Sequence, residues 1–248
     1  MFKIKPSRTD MIVTLLCCAV LLAAMGAMGR GSKHAKTIVC QSNLRKLGQI
    51  ATLYAQENDG EGFNSWYGRV DDYTAKAESI MHCSETKELV VDRTNMYTMG
   101  HSRKPWVWTW SLSSYVTGTY GYNGWLYTRS SYSSNEEKYF KNTCSVEKPS
   151  LTPMFADAKW VSSTPFVDDC IYPQTDLSGY PNQFYSTKIS YFMMDRHYGA
   201  TNIVFSDGHA ESVALEEMWS LYWHKQWKPK HNVKRTDGTP IYRANSCK

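Results

Sequence analysis

One uninterrupted apolar run constrains this chain more than any other feature. Residues 11–29, MIVTLLCCAVLLAAMGAMG, carry no charge, and Thr14 is their one strongly polar side chain. As an α-helix the run would be about 28 Å long, close to the thickness of a bilayer's hydrocarbon layer. Core helices rarely run so far without a charge, so the run predicts a membrane span. The basic start at Lys3, Lys5 and Arg8 suits three fates: an uncleaved anchor, a signal peptide cut after small residues near Ala27-Met28-Gly29, or a lipoprotein signal at Cys17. Leu16 stands where the lipoprotein signal wants a small residue. Lys3, Lys5 and Arg8 on one side and Arg30, Lys33 and Lys36 on the other nearly balance, so flanking charge sets no orientation.

The helical pattern continues past the run. Cys40, Leu44, Leu47, Ala51 and Tyr54 with Ala55 recur at the three-and-four spacing of one apolar face, while Arg45, Lys46, Gln49, Gln56 and Glu57 fall elsewhere. Asn58-Asp59-Gly60 supplies a stop and a turn. Gly26, Gly29 and Gly31 should weaken or kink the helix between its two parts. This continuity favours an anchor over a cleaved signal. The expected division is 1–10 as a cytoplasmic N-terminus, 11–29 as a transmembrane helix, 30–58 as its amphipathic continuation, and 59–248 as a β-rich head.

Seven cysteines bear on where that head resides. Cys17 and Cys18 lie in the apolar run. Cys40, Cys83, Cys144, Cys170 and Cys247 are far apart, and none has the C-x-x-C spacing of a zinc ribbon or redox motif. Such spacing suits structural disulfides in an oxidising compartment, so the head is expected in the periplasm or another extracytoplasmic space. Five cannot all pair, and the connectivity stays open. The 28 basic residues are scattered rather than gathered in a stripe, so no nucleic-acid partner is expected.

Taken in order, these stretches resemble bacterial type IV pilin-like proteins. The carriers are the spanning helix, CQSNLRKLG at 40–48, YAQENDG at 54–60, Cys83, YGYN at 120–123 and MFAD at 154–157. The C-terminal H-x9-DG pattern follows as His197 with Asp207-Gly208. The resemblance implies an α+β fold: a long N-terminal membrane-spanning helix, a pilin-like antiparallel sheet head with loop insertions, and a short C-terminal helix. It further implies a pseudopilin-like structural or accessory subunit of a type II secretion or type IV pilus-like system. Such a subunit is a single-pass inner-membrane protein whose partners are lipid, secretion machinery and other pilin-like chains. The prepilin cleavage motif is degenerate, because Lys5 replaces the cleaved glycine. Asp10 stands at the family's acidic position, as an assembly or merely interfacial acid. Some pseudopilin heads hold a structural calcium, but no complete calcium-loop spacing is present here.

The head offers its own candidates. Residues 106–110 alternate Trp, Val, Trp, Thr, Trp, so three indoles share a strand face. That face is read first as core and second as a sugar-stacking platform. Residues around Asp207-Gly208 read as a hairpin with a two-residue turn, with Phe205 opposite Ala210. Leu215, Met218, Trp219, Tyr222 and Trp223 fit a helix packed on the sheet, and the basic end beyond Lys228 reads as a tail pinned by Cys247. His197 would bond a carbonyl or a carboxylate such as Asp157. His197, Asp207 and His209, with Asp157 or Asp168-Asp169, form a metal-ligand set on paper. No H-E-x-x-H, G-x-S-x-G, P-loop or dinucleotide pattern occurs, so no catalysis is expected. The alternative function is an anchored cell-envelope binding module whose aromatic head holds a glycan or a protein.

Overall fold

A computed structural model describes residues 8–75, 77–86, 97–111, 114–128, 133–172, 177–178 and 188–241; within these, side chains at 8, 10, 20–30, 32, 77, 110, 111, 114, 133 and 134 are not described. The fold is mixed α+β. Helix α1 (Arg8–Glu57) is followed by short helices α2 (Val70–Tyr73) and α3 (Ala77–Ile80). Strands β1 (Tyr97–Thr98), β2 (Trp106–Ser111) and β3 (Ser114–Gly118) form one antiparallel sheet in that order. The second sheet has the order β6-β4-β5-β7-β8, built from β4 (Tyr120–Asn123), β5 (Pro153–Asp157), β6 (Ser162–Ser163), β7 (Ala200–Phe205) and β8 (Ala210–Ala214). Its pairings are antiparallel except β4 with β6.

The packed half of α1 lies on β7 and β8. Cys40, Leu44, Leu47, Ala51 and Ala55 are all buried, as their helical spacing on one face requires. Gly48 sets the approach, since a Cβ there would stand 2.9 Å from Cγ2 of Val204. Polar residues flank the seam: Gln41 donates to the Ser212 hydroxyl at 3.1 Å, and Arg45 to the Ala210 carbonyl at 3.0 Å. The helix stops where Gly60, at φ +81°, turns its N–H back to the Ala55 carbonyl at 2.7 Å.

The expected fold class is corrected at its N-terminus. Among the described residues no helix is long and apolar enough to cross a membrane. The packed half of α1 is amphipathic, with Arg45 and Lys46 exposed. The transmembrane helix at 11–29, the single-pass inner-membrane placement with a periplasmic head, and the lipid partnership therefore lose their support. The side chain of Asp10, on which an assembly role would turn, lies outside the described residues, as does Cys247.

Large aromatics fill the core between α1 and the loops. Trp66, Trp106, Trp125, Trp219, Trp223, Tyr120, Tyr122, Phe155 and Phe192 are essentially inaccessible. Each buried indole N–H meets a carbonyl: Trp66 to Val161 (2.6 Å), Trp106 to Tyr120 (2.9 Å), Trp125 to Pro165 (2.7 Å), Trp219 to Asp169 (3.2 Å), Trp223 to Met218 (2.8 Å) and Trp227 to Trp219 (3.0 Å). These bonds satisfy the buried indole donors, at Val161 and Trp219 beside the backbone N–H groups of Tyr122 and Lys230 that reach the same carbonyls. The short C-terminal helix is a 3-10 turn, Leu215–Ser220, with Leu215, Met218 and Trp219 inward.

Candidate functional site

Two constellations stand out, one buried and one at the surface. The buried one gathers where α1 passes the segment after α3 and the approach to β7. Cys40 of α1 and Cys83 place their Sγ atoms 2.6 Å apart, and Cys83 Sγ lies 3.3 Å from His197 Nε2. The same Nε2 is 3.3 Å from Asp157 Oδ2 at the end of β5, while Nδ1 meets the Thr37 hydroxyl at 3.3 Å. Asp157 accepts the Asn202 N–H at 2.9 Å and pairs with Arg196 at 3.2 Å. Arg196 also donates to the carbonyls of Thr119, His101 and Ala158, reaching both sheets.

Charge is balanced inside this cluster. The Cys83 S–H, and then His197, hold the Cys40 thiol down to about 5 against burial, which pushes it up. The Ser84 N–H points at the same sulfur at 3.2 Å. Burial drives Cys83 well above its ordinary value, which leaves it protonated. Burial alone would lower His197, but the Asp157 carboxylate outweighs it and raises the imidazole to about 10. Asp157 is fully buried, yet His197 and Arg196 hold it below the usual carboxylate range. The buried Asp157 carboxylate thus faces two cations, His197 and Arg196, and loses water only where it gains opposite partners.

Cys40, Cys83 and His197 offer three ligand atoms within 4.8 Å of one another, a group that could hold a metal ion. Two sulfurs and an imidazole suit zinc-like ions, and nothing in the set points to the oxygen-rich coordination of calcium. Cys83 and Asp157 meet the same ring nitrogen. A relay in which an acid orients one nitrogen while a nucleophile uses the other is therefore not built here.

The remaining sequence candidates lie elsewhere. Asp207 and Gly208 are at the tip of the β7–β8 hairpin, where Asp207 Oδ1 meets His209 Nδ1 at 2.6 Å. Gly208 has φ +89°. The register pairs Val204 with Ala210, so the turn has three residues rather than two, and Phe205 stacks on His209 at 4.4 Å. His197 and Asp207, the two ends of the H-x9-DG pattern, thus serve different places. Cys144 is exposed and Cys170 half-buried. Asp169 caps the N–H groups of Phe166 and Ile189, and Asp168 is exposed beside Lys230. Sequence reasoning missed Arg196 and Thr37, for which no motif gave a signal.

The surface constellation covers the small sheet. Tyr97 stands opposite Trp108 in the β1–β2 register, with ring centroids 4.9 Å apart. Tyr67 lies 5.1 Å from Trp108, and Trp160 lies 5.6 Å from it. Tyr97 is 53% exposed and the other three rings are half-buried. Neither Trp108 nor Trp160 has a partner for its indole N–H among the described residues. Trp106, two residues before Trp108, turns instead into the core beneath Gly118, where a Cβ would strike its ring at 2.5 Å. The alternating run therefore serves both roles, core at Trp106 and surface at Trp108; the side chain of Trp110 lies outside the described residues.

No family model, no curated protein and no solved structure matches this chain. Together with the missing span among the described residues, this corrects the pilin-like resemblance. The pseudopilin subunit, and pilin-like chains or secretion machinery as its partners, are withdrawn. The short motifs that suggested them lie within α1 and at its end, in β4, in β5 and at the β7–β8 hairpin, and their order alone does not define a family.

Proposed function

We propose that this chain is a non-catalytic binding module whose aromatic surface receives a glycan. The observation that carries the reading is the cluster of Tyr67, Tyr97, Trp108 and Trp160, four solvent-reaching rings around two indole N–H groups with no partner among the described residues. Sugar rings present apolar C–H faces to aromatic rings and hydroxyl edges to donors, so both halves of the cluster have a counterpart in such a ligand. An apolar peptide anchor would instead want a deep apolar pocket.

Tryptophan fluorescence titration of the full chain with β-linked oligosaccharides tests the reading. Saturable quenching is expected, with Trp108→Ala weakening the affinity roughly tenfold or more, about 1.4 kcal/mol per decade. Binding that is indifferent to Trp108→Ala and Trp160→Ala would defeat it. So would saturable binding of an aromatic-rich peptide with no response to any oligosaccharide.

A further inference from the structure

We propose that Cys40 and Cys83 close into an intramolecular disulfide that locks α1 to the segment following α3. The inference is independent of the glycan reading and rests on a different part of the molecule. The two sulfurs lie 2.6 Å apart, well inside the ~3.5–4 Å at which even carbon atoms rest in contact. Two sulfurs sharing one zinc ion at 2.3 Å would stand about 3.8 Å apart in tetrahedral geometry, so the arrangement favours a bond between them over a metal between them.

The surrounding chain already holds both ends in place. The Cys83 N–H donates to the Thr119 hydroxyl at 2.6 Å, and the Thr119 N–H to the Met81 carbonyl at 2.9 Å. Ser84 donates its hydroxyl to the Lys36 carbonyl at 3.1 Å, and Glu85 pairs with Lys36 at 3.4 Å. Closure would thus need little movement of either backbone. It would cross-link positions 43 residues apart, a loop long enough for a large loss of freedom in the unfolded chain.

Cys83 lines an open cleft with Asn43, Asp71, Glu78, His82 and Ser84, which gives a small disulfide a way to the buried pair. In the exchange, one cysteine sulfur attacks as a thiolate and breaks the oxidant's S–S bond, giving a mixed disulfide. The other cysteine sulfur then displaces the oxidant's remaining sulfur. Two electrons pass from the cysteine pair to the oxidant, and it leaves as a dithiol carrying both protons.

The test incubates the reduced full chain with oxidised dithiothreitol in the presence of a chelator, then alkylates and maps peptides without reduction. A peptide joining Cys40 to Cys83 is expected, together with a melting temperature raised by roughly 5–10 °C over the reduced chain. The shift should vanish in Cys40→Ser and in Cys83→Ser. Alkylation of both residues after oxidation, or a cross-link from either to Cys144 or Cys170, would overturn the proposal. So would stoichiometric zinc binding by the reduced chain that protects both thiols while oxidant does not join them. Should either serine variant fail to fold, peptide mapping of the unaltered chain still decides the matter.

Discussion

The tryptophans of the core and those of the small sheet's surface are one side chain put to two uses. Trp66, Trp106, Trp125, Trp219, Trp223 and Trp227 give their indole N–H groups to backbone carbonyls. Trp108 and Trp160 stack on tyrosines and on one another, half-exposed. The difference teaches where an aromatic-rich chain spends its rings. A buried indole ties its ring to the backbone, so its loss removes a hydrogen bond as well as opening a void. A surface indole carries no such obligation, and its energy remains available to a ligand.

The largest effect should come from Trp66→Ala. It removes a ring packed against Trp106 and Phe155 and one of the two donors to the Val161 carbonyl, which keeps only the Tyr122 N–H. A loss of about 3–5 kcal/mol is expected in denaturant melts. A loss under about 1 kcal/mol would erase the distinction between the two sets.

A smaller effect comes from acid. His224 sits between Trp125 and Trp227, its Nε2 without a partner. Burial first, then the nearby Lys138 charge, depress its pKa to about 4, with Glu137 opposing weakly. Above pH 6.5 neither the folded nor the unfolded chain protonates it. Below that value the unfolded chain takes up a proton the folded core refuses, so stability falls from about pH 6.5 down to about 4. The loss from this one group should be on the order of 2–3 kcal/mol. His224→Phe should flatten that part of the pH profile, and an unchanged slope would place the titration elsewhere.

The smallest effect on stability should belong to Trp108→Ala, under about 1 kcal/mol, even as ligand affinity drops. Melts and titrations on the same variant measure both. A stability loss as large as that of Trp66→Ala would return Trp108 to the core set.

What the sequence made legible follows from how local each signal is. The packing face of α1 could be read from Cys40, Leu44, Leu47 and Ala51, because helical spacing needs only neighbouring residues. The hairpin could be read from Asp207-Gly208, although its turn was one residue too short. Asp-Gly suits both a two-residue turn and a three-residue turn with Gly208 last, and the choice is made by strand pairing. The apolar run misled because length and lack of charge describe a segment and not its surroundings. The meeting of Cys40 with Cys83, and of both with His197, depends on chain crossings that no local pattern encodes. The parting of Trp106 from Trp108 was hidden too, since alternation assigns residues to a face but does not say how far along it the core extends.

Arg196 has a further consequence, for the way the molecule opens. Its guanidinium grips Thr119 between the two sheets, His101 in the β1–β2 connection, and Asp157 with Ala158 at the end of β5. Neither sheet can detach without stripping a buried cation of its acceptors. Amide protons of β2 and β5 should therefore exchange with deuterium through one shared, global opening rather than two local ones. Arg196→Met would release the clasp and let the small sheet breathe by itself.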